Sequence, residues 1–291
     1  MLQKDVVPTA YFQLEQSVAD GYNPTIDNAL LLPDEDQLMT FSVTNDVTYT
    51  DENETIEWIY GDLPLVIAVP HGGYLLSQSQ EGKKPFQVPT RASGCHEQKE
   101  FGGTPHLILC RLHRSQVDMN RGEMDASDTS EENDRSVGLF LDLHGQSHDP
   151  RHQIGYIIRG VIYNEKTDDE IDVDDHLTNT CSIRGSLNNK TLSAALRGQK
   201  SLGSLLEDNG YSSVPSPAHP SPGTVPYFNG GYCTATYGSS TTNKQERSRM
   251  SSIQIESSYL GVRDSEDNRR KFAESLAVVM KSWMIEYIHS K

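Results

Sequence analysis

The sequence predicts an α/β fold, and two observations carry that prediction. From residue 63 onward, short continuous apolar runs recur, each bounded by Gly, Pro or Asp. Runs of this length without polar alternation read as strands covered on both faces, and such a sheet needs helices to cover it. The second observation is a sustained helical stripe of large apolar residues in the C-terminal segment, of the kind that packs along a sheet.

The strands are expected at LPLVIAVPH (63–71), HLILCRL (106–112), VGLFLDLH (137–144), IGYIIRGVIY (154–163) and SIQIESSYL (252–260). One helix is expected in SLGSLLEDNG (201–210), with Leu202, Leu205 and Leu206 on one face and Asn209-Gly210 as its stop signal. A second helix follows a cap at Asp264 or Ser265, with Phe272, Leu276, Val279, Trp283 and Tyr287 as its stripe. Between them, residues 211–233 are rich in Pro, Ser and Gly and read as a long loop. Residues 1–60 form a polar segment, weakly ordered or supplying added strands, and residues 61–291 form one larger unit.

Composition narrows the function classes. Hydrophobic residues are 35% and charged residues 23% of the chain, and the net charge is −16. That balance argues against a nucleic-acid backbone or an anionic membrane as partner. Acidic clusters at 51–54, 125–134 and 168–175 read as solvated loops. The opening residues contain no apolar leader, and no run approaches the ~20 apolar residues of a membrane span. Four cysteines without a C-x-x-C pair fit a reduced thiol set and a cytoplasmic location.

The polar residues that interrupt the strands are the candidate chemistry. His71 follows the first strand in PHGG, and His144 ends the third in DLHG. Two histidines at two strand ends suit a metal such as zinc, although a histidine at either place alone is more often structural. Asp142 lies two residues before His144, on the same side of a strand, and is a candidate orienter of its ring. Glu256, inside the last apolar strand, is either a proton shuttle beside a metal or half of a buried salt bridge with an arginine. Arg114, Asn120 and Arg121 cluster in RLHRSQVDMNR. Arg121 with Asn120 offers a fork for a carboxylate, or pairs with Asp118 or Asp142. Gly230-Gly231 either lets a loop close over a substrate or makes a tight turn. His148 is either a substrate contact or, as a loop position more often is, a surface histidine.

Taken together, VPHGG, GGTPHLILCRLHRSQVDMNRG, GLFLDLHGQSH, FNGGY and IQIES, in that order, resemble the N-formylglutamate amidohydrolase family, from about residue 61 to the C-terminus. The resemblance implies a central, mostly parallel or mixed sheet flanked by helices, related in fold to the zinc carboxypeptidases. It also implies metal-dependent hydrolysis of an acyl amide on an amino acid, with one zinc ion and a small anionic acyl-amino-acid substrate. By the same resemblance, His71 and His144 are metal ligands, with the acidic ligand sought in Glu97 or Glu100. Glu256 is the general acid/base, and Asn120 and Arg121, with Arg114, hold the substrate carboxylate. Two connections, 88–104 and 122–136, are shorter than the family pattern, so shortened crossovers are expected. The rival reading is a non-catalytic relative that keeps the fold or a carboxylate pocket around an incomplete metal site.

Overall fold

The computed structural model describes residues 48–50, 56–61, 63–70, 105–110, 138–240 and 250–288. Eight strands form one mixed sheet: β1 (Thr48–Thr50), β2 (Ile56–Ile59), β3 (Leu65–Val69), β4 (His106–Cys110), β5 (Leu139–Gly145), β6 (His152–Gly155), β7 (Ser213–Val214) and β8 (Ser251–Ser257). Their order is β1-β2-β4-β3-β5-β8-β6-β7. Strands β4, β3, β5 and β8 run parallel and make the centre, while β2 and β6 flank them antiparallel. The α/β class and the mixed sheet therefore follow the expectation. Strands β1 and β2 come from the first 60 residues and extend one edge.

The central strands separate core from site by simple alternation. On β5, Leu139, Leu141 and Leu143 are buried on one face with Ile253 and Ile255 of β8. Phe140, Asp142 and His144 take the other face, opposite Ser252, Gln254 and Glu256. The apolar face is covered by a long helix, Glu266–Tyr287, where the sequence places its stripe. Phe272, Leu276, Val279, Trp283 and Tyr287 are all buried there. Ser265 caps that helix, its side chain accepting from the Asn268 amide.

Among the described residues six shorter helices precede it: α1 (Gly160–Glu165), α2 (Asp168–Asp172), α3 (Asp175–Thr180), α4 (Leu192–Arg197), α5 (Leu202–Asp208) and α6 (Tyr232–Tyr237); the long helix is α7. Helix α5 packs against α7 and ends at Gly210, whose φ of 86° supplies the expected left-handed stop. Helix α6 lies on the polar face of the sheet, where the Tyr237 and Phe140 ring centroids are 4.6 Å apart. Among the described residues no helix is long and apolar enough to cross a membrane.

Two expectations are corrected. The run 154–163 is a strand only through Gly155. Ile157 then adopts φ 64°, a conformation a β-branched residue seldom takes, and donates its amide to Asn229 O at 2.6 Å. The remaining apolar residues, Tyr156, Ile158 and Tyr163, are buried from a loop and from α1. A continuous apolar run reports burial and does not distinguish strand from helix. The acidic cluster at 168–175 is likewise not a solvated loop but two helices. Thr167 and Glu170 form a capping box, Asp174 caps α3, and Ile171 and Leu177 are buried beneath. Acids in a first helical turn meet the positive end of the helix dipole, which a count of charges does not reveal. The two connections expected to be short, 88–104 and 122–136, lie outside the described residues.

His152 on β6 faces the apolar side, stacked on Phe272 at 4.9 Å and edge-on to Tyr211 at 5.6 Å. Burial, with the nearby Arg263 charge, pushes its pKa down to about 3, so the folded ring stays neutral. In the unfolded chain the ring protonates near its ordinary pKa of about 6.5 and takes up the proton first. Stability is therefore expected to fall as pH drops from about 6.5 toward about 3, by about 1.4 kcal/mol per pH unit from this group. Urea denaturation across that range should show the slope in the wild type and its loss in His152→Phe.

Candidate functional site

The polar face becomes a site because parallel pairing sets two distant strands in one register. His144 on β5 and Glu256 on β8 are direct Cα partners, one register step from the carboxyl ends of adjacent strands. Strand β3 pairs with β4 on one side and with β5 on the other. The connection direction therefore reverses at β3 and β5, and crevices at such reversals are where open α/β sheets bind ligands.

Asp142, His144 and Glu256 come together there. His144 Nε2 lies 2.9 Å from Asp142 Oδ1. Its other ring nitrogen, Nδ1, is 3.9 Å from Glu256 Oε1. All three residues are buried, Asp142 completely. The second oxygen of Asp142 accepts the Thr234 hydroxyl of α6 at 3.2 Å. Glu256 Oε1 accepts from the Gln254 amide at 2.9 Å. Asp142 is thus placed to hold the ring through Nε2, with Nδ1 on the Glu256 side. That is the arrangement a carboxylate-oriented histidine ligand requires.

His71, Glu97, Glu100, Arg114, Asn120 and Arg121 lie outside the described residues. In sequence, His71 directly follows Pro70, the residue after β3. Among the described residues no three His, Cys, Asp or Glu side chains are disposed to hold one ion.

Sequence reasoning passes over four groups that complete this face. Gln254 is legible, since it alternates with Ile253 and Ile255 and so shares a face with Glu256. Gln153 is the register partner of Glu256 on β6. Thr234 arrives from α6, which begins inside the stretch 211–233 that the sequence reads as loop. Arg263 follows β8, and its guanidinium donates to Gln146 O at 2.6 Å and to Ser257 O and Ser258 O at 3.2 Å each. Burial pushes its pKa down, opposed by the charge of Glu256.

Arg263 also explains the glycine after His144. A Cβ at Gly145 would overlap the Arg263 guanidinium. The sequence alone suggests that this glycine serves close approach by backbone or substrate; in the fold it admits a buried arginine that ties together the ends of β5 and β8. His148 is exposed, as expected, with its Nε2 2.9 Å from Pro226 O. Gly230 is more than a turn residue. At φ 121° it packs its backbone against Ile157, and Gly231 caps the start of α6.

A scan against protein-family models matches none, and searches of the curated proteins and of the solved structures also return no match.

Two stability outcomes follow from this geometry. Gly145→Ala should displace the guanidinium from its carbonyls and cost about 2 kcal/mol, read as a lower urea midpoint at unchanged m-value. His144→Ala should cost about 3 kcal/mol, because it takes the ring donor away from the buried Asp142 carboxylate. His144→Gln, which retains a donor for Asp142, should recover at least about 1 kcal/mol of that loss in the same denaturation series.

Proposed function

We propose that this chain is a metal-dependent hydrolase of an acyl amide on an amino acid, of the N-formylglutamate amidohydrolase type, built on a zinc-carboxypeptidase-like fold. The observation that carries the reading is His144, held through Nε2 by Asp142 at 2.9 Å while Nδ1 faces Glu256 across the β5–β8 pair. One imidazole is thus oriented as a ligand with a carboxylate beside the position it would ligate. That donor chemistry fits zinc, which takes neutral imidazole nitrogen and carboxylate oxygen. His144 would hold the ion through Nδ1, with His71, which the motif order supplies, and an acidic ligand for which Glu97 and Glu100 are the local candidates. When bound, zinc supplies Lewis acidity to an acyl carbonyl and makes water acidic enough to attack at neutral pH.

The remaining steps belong to the side chains. Asp142 fixes the His144 tautomer and adds basicity to the ring. Glu256 takes the proton from the attacking water and delivers it to the amine nitrogen as the carbon–nitrogen bond breaks. Gln254, donating to Glu256 at 2.9 Å, keeps that carboxylate aimed while it changes protonation state. Arg121 and Asn120, with Arg114, would take the carboxylate of the amino acid.

Elemental analysis of the purified chain is expected to find about one zinc per molecule and much less in His144→Gln. Glu256→Gln should keep the metal and lose at least about a hundredfold in kcat on an N-acyl glutamate. A folded wild type that takes up no zinc when supplied with it would remove the hydrolase reading. What would remain is the rival: a relative that keeps the fold, or a carboxylate pocket, without catalysis.

A further inference from the structure

We propose that Phe228 and His148 form an acyl subsite beside Glu256, and that it takes an uncharged, apolar acyl group larger than formyl. The inference rests on the hydrolase reading and concerns which acyl group that hydrolase cleaves. Sheet order lays the chemistry out laterally: His144 on β5, Glu256 on β8, then Gln153 on β6. Residues directly opposite in an antiparallel pair project to the same face, so Gln153 stands next to Glu256 on the site side.

Gln153 is fully buried, and its amide pins two loops at once. Its Nε2 donates to Pro226 O at 2.8 Å and lies 3.3 Å from both His148 Nε2 and Asp149 Oδ2. Its Oε1 accepts the Phe228 amide at 2.9 Å. The loop after β5 and the loop before α6 are thereby fixed against each other. Their rings meet edge-on, His148 and Phe228, with centroids 5.4 Å apart at 67°. Tyr227, next to Phe228 in the chain, donates its hydroxyl to Ile154 O, so the second loop is anchored twice to β6.

This wall has a definite chemistry. Phe228 is 46% exposed, a large apolar surface presented rather than buried. Arg151, the cation of the first loop, is taken up by Asp149, with Nε at 3.0 Å and an Nη at 2.9 Å. Among the described residues of this wall, a carboxylate guest therefore meets no matching charge, whereas a flat or branched hydrocarbon meets a ring. A formyl group, with a hydrogen where other acyl groups carry carbon, would leave Phe228 uncovered.

The experiment measures kcat/KM of the full chain on N-formyl-, N-acetyl-, N-butyryl- and N-benzoyl-glutamate, for wild type and Phe228→Ala. The expected result is a preference for butyryl or benzoyl over formyl of at least about tenfold, abolished in the variant. A formyl preference, or an equal loss on all four substrates in Phe228→Ala, overturns the proposal. Saturation-transfer NMR with benzamide on the same two proteins separates the subsite from the hydrolase. A benzamide signal present in the wild type and absent in Phe228→Ala, without turnover of any substrate, would keep the subsite and sink the hydrolase. Absence of the benzamide signal in the wild type overturns the subsite.

Discussion

A carboxylate with no solvent exposure, in the middle of a sheet, is the constraint on which the rest of this structure depends. A carboxyl in that place needs hydrogen-bond donors, because a buried polar group left unmet is costly. Its two oxygens are met from two directions, by His144 along its own strand and by Thr234 from α6. The first donor requires β5 to stay extended to its last residue. The second requires a helix on the polar face, and so gives that helix a reason to lie there. In a site of this kind, holding the acid and holding the histidine are one problem with one solution.

The same strand serves core and site, so register carries unusual weight. A slip of one residue would exchange Leu141 for Asp142 and turn the charge into the apolar layer beneath. The seven-residue pairing of β5 with β8 resists that slip along its whole length. Arg263 closes the far end by bonding carbonyls that belong to or follow both strands. Gly145 is the residue that makes room for it. The lock lies at the strand ends and the polar cluster on the face between them, so a rigid frame supports those side chains.

Much of this frame was legible. The apolar runs around Leu65, His106, Leu139 and Ser251 gave the central strands, and the Phe272-to-Tyr287 stripe with Ser265 gave the covering helix. In each case the burial pattern and its flanking signals spoke together. The stretch from Tyr156 to Tyr163 misled because burial was there without periodicity, and a single left-handed residue, Ile157, decided the outcome. The acidic helices misled for the opposite reason: caps at Thr167 and Asp174 outweighed a composition that looks solvated. At the site, Asp142, His144 and Glu256 were each visible as polar residues in apolar strands. Their direct pairing was not, since a parallel register between strands so far apart in sequence is set by the whole sheet. Thr234, Gln153 and Arg263 come from segments with no pattern of their own.

Three glutamines stand around this site, and their neutrality is the point. Gln254 steadies Glu256, Gln153 joins the two loops beside it, and Gln146 satisfies both ends of its amide within the turn after β5. On the hydrolase reading, a lysine or arginine in any of these places would compete for the Glu256 charge and oppose the proton transfer proposed for it. A further carboxylate would repel it and raise its proton affinity. An amide donates and accepts without altering the local charge, so it fixes geometry and adds no net charge beside the acid. Arg263, a buried cation on this end of the sheet, is taken up by backbone carbonyls, to which its guanidinium donates.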